Sequence, residues 1–228
     1  MFRTFQLIFA CLLSTALFAQ DSLTIKQSKY LEDQFYIGLT YNLLLNKPET
    51  VTQQNLSYGL QAGFIKDIPL NKERNFGVGI GLGYAVNSYY NNIQAIETDN
   101  GITYRVFDEN FSYKRNKIET HLIEMPLEIR WRNSTATEHR FWRIYTGFKL
   151  GYIVGTRSKL VTEGYKDSFY NRDTENFRYG LVLNVGYNTF NFHLYYSLND
   201  FFEENTTLDT GETLSLTPMS IGIIFYIL

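Results

Sequence analysis

Apolar and polar residues alternate with a period of two through most of the chain, and this alternation predicts an all-β protein. The clearest stretch runs from His121 to Trp131. Its apolar positions are Ile123, Met125, Leu127, Ile129 and Trp131, and the positions between them are Glu124, Pro126, Glu128 and Arg130. Successive side chains of an extended chain point to opposite faces, so this stretch has one apolar face and one mainly charged face.

The same period predicts eight strands, over 34–45, 56–66, 75–90, 117–132, 140–154, 176–187, 190–199 and 214–228. The connections alternate in length along the chain. Those at 46–55, 91–116, 155–175 and 200–213 are long, and those at 67–75, 133–139 and 188–189 are short. An even number of strands with this asymmetry is typical of outer-membrane barrels. Within 91–116 we expect a short hairpin around Asp108, Glu109 and Asn110.

The abundance of aromatic residues indicates that the apolar faces point to lipid. Tyr and Phe number 18 each, and aromatic residues make up 17% of the chain. An eight-stranded barrel has a narrow interior that could not hold so many large side chains. The alternative is a secreted, soluble, lipocalin-like binding barrel with its apolar face inward. We predict an eight-stranded antiparallel up-and-down transmembrane β-barrel with short periplasmic turns and long extracellular loops.

The charged faces are then expected to line the lumen of the barrel. The predicted lumen charge network consists of Glu124, Glu128, Arg130, Arg143, Lys149 and Arg178. Folding the fourth and fifth strands about the 133–139 turn puts Glu128 roughly opposite Arg143, and Glu124 near Lys149. In so narrow a barrel these charges favour a paired structural plug, and a narrow charge-lined channel is the alternative.

Two features of the strands indicate crowding and irregularity inside the barrel. The glycines of the third strand share one face, which is typical of a lumen where bulky side chains from other strands come close; they are Gly77, Gly79, Gly81 and Gly83. Pro126 cannot donate a hydrogen bond to a neighbouring strand, so we expect a bulge or a local break there.

Large aromatic residues on the apolar face flank the short turns. Trp131 and Trp142 lie on either side of the 133–139 turn, and Tyr187 and Phe190 on either side of the 188–189 turn. Aromatic rings gather at the interfaces between membrane and water. We predict that these four residues form a membrane-interface girdle.

The N-terminal residues resemble a targeting segment. Arg3 precedes an apolar run over 7–13, and Ala19 supplies a small residue at a cleavage position. We predict a signal peptide over 1–19, a periplasmic segment over 20–33 and a barrel domain over 34–228. A lipid attachment at Cys11, which is the single cysteine of the chain, is the alternative. No apolar run beyond residue 20 is long enough for a helical membrane span.

The sequence offers little support for catalysis. His193 and Ser197 share one face of a strand, but positions four apart lie about 13 Å from each other, too far for a nucleophile and its base. Among Glu119, His121 and Glu124, Glu124 points to the opposite face from the other two, which argues against a metal site. We predict no enzyme activity, no cofactor and no metal, with a lipid-modifying barrel enzyme as the alternative. The net charge of −2 offers no basic surface for nucleic acid.

The chain resembles the PorT-type small outer-membrane β-barrels of Bacteroidetes. The resemblance rests on the leader end from Leu17 to Gln20, on the stretch from Ile123 to Arg130 with its Glu-Met-Pro-Leu core, and on the closing strand from Ser220 to Tyr226. It implies an outer-membrane location and suggests a link to protein secretion.

Together these features predict a non-enzymatic, monomeric barrel with a structural, docking or secretion- and assembly-related role through its extracellular loops. The expected partners are outer-membrane lipid, the machinery that inserts barrels into the membrane, and an unidentified protein at the loops. The aromatic residues interleaved with charges in the two longest loops suit either partner binding or a hairpin that extends the barrel above the membrane.

Overall fold

The computed structural model describes residues 34–108, 111–133, 141–188 and 190–227. The described residues form eleven strands: β1 (Gln34–Leu45), β2 (Tyr58–Pro69), β3 (Phe76–Tyr90), β4 (Ile93–Thr98), β5 (Gly101–Val106), β6 (Arg115–Arg132), β7 (Trp142–Val161), β8 (Lys166–Tyr170), β9 (Phe177–Tyr187), β10 (Phe190–Ser197) and β11 (Thr217–Ile227). Within these ranges no helix has the length and apolar character of a membrane span. The predicted signal peptide, Cys11 and the 20–33 segment lie outside the described residues.

Eight of these strands form a closed antiparallel barrel, as predicted. Each barrel strand pairs with the next barrel strand along the chain, and β1 pairs with β11 to close the ring. The barrel strands are β1, β2, β3, β6, β7, β9, β10 and β11. The short connections lie at one end and the long ones at the other, which is the up-and-down arrangement of outer-membrane barrels.

The two faces of the barrel differ sharply. On β6, the side chains of Ile123, Ile129 and Trp131 are between 42% and 52% exposed, whereas Glu128 and Arg130 are 3% and 1% exposed. The same alternation recurs on β1, where Phe35, Ile37 and Leu39 face outward. The apolar face therefore points outward and the polar face inward, the reverse of a lipocalin-like barrel.

The long connections contain more regular structure than predicted. The 91–116 segment does form a hairpin, β4–β5, but its turn lies between Thr98 and Gly101 and not around Asp108. The 155–175 segment, expected to be a loop, instead continues β7 to Val161 and returns as β8. The reason is a β-bulge at Val154, opposite the step from His121 to Leu122, which reverses the alternation in β7 and hides the strand period.

Pro126 produces a local break, one of the two outcomes expected from its missing donor. β3 pairs with the part of β6 from Leu127 to Trp131 and with the part from Lys117 to Glu124. The pairing is interrupted between these parts, at Met125 and Pro126. The register is the same on both sides of the break. The bulge itself lies five residues away, at the step from His121 to Leu122.

An apolar cluster closes the end of the barrel that carries the long loops. Its buried residues come from strand ends, the 46–57 connection, the β4–β5 hairpin and the 198–216 connection: Leu44, Val51, Tyr89, Ile93, Tyr104, Ile118, Phe201, Phe202, Leu208, Leu214 and Leu216. Below, we call this cluster the cap. Because it packs to near-complete burial, it separates the lumen from the extracellular side.

Candidate functional site

The half of the lumen nearest the short turns holds a buried ion network. The Asp67 carboxylate lies 2.5 Å from Nη1 of Arg132 and 3.5 Å from Nη1 of Arg130. Arg130 Nε donates to Glu128 at 2.9 Å, and Asn184 donates to the other oxygen of Glu128 at 3.1 Å. These charged side chains are at most 3% exposed. Buried charges are tolerated when they are paired in this way.

The glycine face of β3 makes room for this network. A Cβ at Gly79 would lie 2.6 Å from Nε of Arg130, closer than real contacts allow. A Cβ at Gly83 would collide with the hydroxyl of Tyr36. The glycines are therefore required where large side chains from β6 and β1 cross the narrow lumen, as the sequence predicted.

A second group of charges lies in the middle of the lumen. Nζ of Lys149 lies 3.3 Å from the Glu124 carboxylate and donates to Gln61 at 2.6 Å. Nearby is a cavity of about 20 Å³, lined in part by Arg178 and His193. A space of this size holds about one water molecule. This part of the lumen is therefore filled with side chains and contains no continuous bore.

The remaining predicted network residues have other partners. Glu128 was expected opposite Arg143, and this prediction is wrong. Glu128 lies opposite Gly147, and Arg143 lies opposite Arg132. The connection between β6 and β7 is longer than the assumed 133–139 turn, because β6 ends at Arg132 and β7 begins at Trp142. Each residue of β6 therefore pairs with a residue further along β7 than expected.

Aromatic rings and backbone groups hold the two arginines that lack a carboxylate contact within the described residues. Arg143 donates to the backbone oxygen of Asn188 at 2.7 Å and lies 4.6 Å from the ring centre of Phe141. Arg178 lies 5.0 Å from the ring centre of Phe201, beneath the cap. The six predicted residues therefore lie in one lumen, but they do not form a single chain of ion pairs.

The residues that were weighed for catalysis are held apart. His193 Nδ1 lies 2.6 Å from the Asn184 amide oxygen, whereas the Ser197 hydroxyl donates to the backbone oxygen of Asn199 at 2.9 Å. On the outer face, Tyr84 Oη lies 2.8 Å from His121 Nδ1. Across the described ranges no group of three His, Cys, Asp or Glu residues is placed to hold a metal ion.

Hydrogen bonds link the cap to the 166–176 region. The Tyr104 hydroxyl of β5 donates to Asn171 at 2.9 Å and lies 3.1 Å from Asp173. Burial, followed by the nearby Asp173 carboxylate, raises the pKa of Tyr104 above its ordinary range. The hydroxyl therefore remains a donor at neutral pH and ties the β4–β5 hairpin to its neighbour.

Above the cap, an aromatic stack lies beside a surface depression. The ring centres of Phe107 and Phe111 are 4.7 Å apart with an angle of 5° between the rings, and those of Phe107 and Tyr113 are 4.5 Å apart. The depression has a volume of about 670 Å³. Its other lining residues are mostly uncharged and polar, and include Gln54 and Asn92. Its volume is within the range of small-molecule binding sites.

The predicted girdle residues lie on the outer face near the short turns. Trp142 and Tyr187 are paired across β7 and β9, with ring centres 5.4 Å apart. Phe190 is 69% exposed and packs against Phe225, and Trp131 lies opposite Phe76 on the neighbouring strand.

Sequence reasoning missed several members of the lumen network. Asp67 was assigned to the short connection 67–75, but β2 continues to Pro69, and the side chain of Asp67 points inward. Its position could have been found, because Asp67 has the same parity as the inward-facing Gln61 and Ile65. Arg132 could have been found from its parity with Arg130 in the same way, whereas the contact of Asn184 with Glu128 spans three strands and has no local signal.

Comparison with models of known protein families gave a match. Residues 18–203 match the family model described as outer membrane protein beta-barrel domain. The matched region covers most of the chain and runs from the predicted leader end through β10. Comparison with curated proteins found no match.

Proposed function

The chain belongs to the outer membrane protein beta-barrel domain family, and from this premise we propose that it is a non-conducting, non-enzymatic barrel that acts as a docking platform. In this proposal the barrel is a monomer in the outer membrane, exported through a cleaved signal peptide over 1–19. The extracellular loops meet the partner, and the barrel holds them in place.

The observation that carries this proposal is the filled and capped lumen. The charges of the lumen contact one another, amides or aromatic rings, and the cavity beside Arg178 and His193 has room for about one water molecule. The cap then covers the extracellular end with apolar side chains. A channel would need a continuous wet path, and a lipid-modifying enzyme would need a nucleophile and base in contact.

The loops support the docking part of the proposal. The stack of Phe107, Phe111 and Tyr113 exposes aromatic surface outside the membrane, and 40% of Phe111 is accessible. Aromatic residues are enriched at the centres of protein–protein interfaces. The hydrogen bonds of Tyr104 and the packing of the cap make these loops a fixed surface, which lowers the entropic cost of binding.

The resemblance to PorT-type barrels supports a finer version of the proposal, in which the docked partner belongs to a secretion or assembly process. In that version the expected contacts of the chain are the barrel-insertion machinery during biogenesis, outer-membrane lipid around the barrel, and one protein at the loops.

Conductance, site-specific crosslinking and the mass of a lipid substrate test the three parts of the proposal separately. Purified protein in planar bilayers should give no stepwise current, while an open porin recorded in the same bilayers gives steps. Single-channel steps from the folded protein would overturn the non-conducting part.

For the docking part, a photocrosslinking residue at Phe111 should yield one defined product on intact cells. The same residue at Leu82, which faces outward in the barrel wall, should not yield that product. The Phe107→Ala variant should lose it. Identical products from both positions, or a product insensitive to Phe107→Ala, would contradict docking at the loops.

Incubation with lipopolysaccharide should leave the mass of the lipid unchanged; a change that disappears in Ser197→Ala would overturn the non-enzymatic part.

A further inference from the structure

The sheet formed by β6, β7 and β8 extends above the lipid-facing band of the barrel. The last apolar outward residues that are strongly exposed are Ile123 on β6 and Val154 on β7; the outward Val161, at the end of β7, is half-buried. Beyond them β6 continues toward Arg115 and β7 to Val161, where β8 pairs with β7. The bulge at Val154 reverses the parity of β7, so that Arg157 and Lys159 face outward, beside the outward residues of β6.

This outward face collects cations from all three strands. Lys117 lies directly opposite Lys159, and Glu119 lies opposite Arg157. The outward cations of this surface are Arg115, Lys117, Arg157, Lys159 and Lys166, and we call them the basic patch. Among the outward positions of these strand extensions, Glu119 is the one carboxylate that the structure describes.

The protein does not neutralise this patch by itself. Glu119 is in contact with Lys117, whose amino group is largely buried against Ser88 and the rings of Tyr58 and Tyr90. Glu163 lies 3.9 Å from Lys114, at the turn above the patch. Asp167 faces inward between the outward Lys166 and Ser168. The accessible surface of the basic patch therefore carries an excess of positive charge.

Like charges directly opposite each other on neighbouring strands destabilise a sheet, and Lys117 and Lys159 occupy such positions. Partial burial, together with Lys166, Arg115 and Lys117, lowers the pKa of the Lys159 amino group. The strands therefore maintain a charge arrangement that is unfavourable in isolation and becomes favourable with a bound anion.

The height of Arg157, at the lower end of the patch, matches the layer of lipid headgroups. Arg157 is three residues beyond Val154, a distance of roughly 10 Å along the strand. With the tilt of about 40° that barrel strands have, this corresponds to a height of roughly 8 Å above the apolar band. The headgroup layer is about 5–8 Å thick on each side of a bilayer. Arg157 thus lies within or at the edge of the headgroup layer, and Lys159 and Lys166 lie above it.

We propose that the basic patch binds the phosphate groups of a glycolipid in the outer leaflet of the outer membrane. Arg157 reaches the phosphate with a planar, bidentate donor pair, and its guanidinium is held 5.2 Å from the ring centre of Tyr170. Lys159 and Lys166 add charge from the neighbouring positions. The acyl chains of the same lipid then lie along the apolar surface that includes Ile123 and Val154.

The test measures binding of bisphosphorylated lipid A to the full chain folded in detergent, by native mass spectrometry. The patch variant is Arg157→Gln, Lys159→Gln and Lys166→Gln combined. Its matched control combines Lys66→Gln, Lys72→Gln and Arg105→Gln, three exposed cations outside the patch whose removal changes the net charge equally. Loss of heat-dependent gel mobility would identify a variant that does not fold, and the single variant Lys166→Gln, at the exposed end of the patch, then replaces it.

A basic residue at a charged lipid surface contributes about 1 kcal/mol, so the patch variant should lose about a hundredfold in affinity and the single variant about fivefold. The control should bind as the wild type does, and the charge-conserving Lys159→Arg with Lys166→Arg should retain binding. Dephosphorylated lipid A should bind as weakly to the wild type as the phosphorylated lipid does to the patch variant.

Equal losses in the patch variant and the control would overturn the proposal, as would equal binding of the dephosphorylated lipid. Inorganic phosphate should fail to displace the lipid, because it lacks the acyl chains. Complete displacement by inorganic phosphate at millimolar concentration would instead assign the patch to a free anion and reject the lipid.

Discussion

Replacement of Asp67 by Asn tests whether the buried ion network stabilises the barrel. The Asp67 carboxylate contacts Arg132 at 2.5 Å and Arg130 at 3.5 Å, and all three side chains are nearly inaccessible to solvent. Asn has almost the same volume as Asp, so the change removes a charge and leaves no cavity. The two arginines then lose their shared carboxylate, while Arg130 keeps its contact with Glu128 at 2.9 Å.

Removing one partner of a buried ion pair costs about 3–5 kcal/mol, because the remaining charge stays in a low-dielectric site. The amide oxygen of the introduced side chain would still accept one hydrogen bond, so we expect a loss near 3 kcal/mol, the lower end of that range. Asp108→Asn is the control, since Asp108 is exposed in the loop after β5. It should change the free energy of unfolding by less than about 0.5 kcal/mol.

The assay is urea unfolding of the barrel in lipid vesicles, followed by tryptophan fluorescence. Trp131 and Trp142 are the two tryptophans of the chain, and both lie on the outer face, so they move from lipid to water when the barrel unfolds. A double-mutant cycle with Arg132→Gln should give a coupling energy of about 1–3 kcal/mol. A change no larger than that of the Asp108 control, or an absent coupling, would refute a stabilising network.

Two further changes probe the lumen and the cap. Gly79→Ala places a Cβ 2.6 Å from Nε of Arg130 and should lower the free energy of unfolding by about 1–3 kcal/mol, whereas Gly164→Ala, with nothing within 4 Å, should be neutral in the same titration. Tyr104→Phe removes the hydroxyl from Asn171 and Asp173, so hydrogen exchange of the β4–β5 amides should accelerate by an amount equivalent to about 1–2 kcal/mol. The pKa of Tyr104 is raised in the folded state, so its hydroxyl contributes fully to the free energy of unfolding below about pH 10, and this contribution is lost as the pH rises further. In urea titrations, the difference in the free energy of unfolding between wild type and Tyr104→Phe should therefore shrink above about pH 10. A stability difference between wild type and Tyr104→Phe that stays constant above about pH 10 would contradict the burial of this hydroxyl.

The barrel was predictable from the sequence because its main constraint is local. A residue in a strand between lipid and a polar lumen has its face determined by parity alone, and the alternation of β1 or β6 can be read without knowing any neighbour. Parity became misleading where a bulge intervened. At Val154 the alternation of β7 reverses, and from Gly155 to Lys159 the outward positions are glycine and cations in place of the apolar residues that precede Val154.

The partners of the lumen residues were less predictable, because they depend on register. The expected contact of Glu128 with Arg143 failed since the hairpin between β6 and β7 is longer than the assumed 133–139 turn. Lys149 lies diagonally from Glu124, and its flexible side chain still reaches the carboxylate at 3.3 Å. Contacts between distant strands, such as Lys149 with Gln61 across the lumen, leave no pattern in the sequence.

The balance of charge inside the barrel requires partners other than carboxylates. Among the described residues of the barrel strands, five inward cations (Arg130, Arg132, Arg143, Lys149 and Arg178) accompany three inward carboxylates (Asp67, Glu124 and Glu128). Aromatic faces supply part of the difference, because a ring presents negative charge density to a cation above it. Arg130 lies 4.4 Å from the ring centre of Tyr145, and Tyr226 lies within 6 Å of both Arg130 and Arg143. The inward tyrosines therefore do more than fill space: they allow arginines, whose guanidinium groups are weakly hydrated, to be buried in excess of the acids. This explains how a narrow lumen can be filled by charged residues without an equal number of acids.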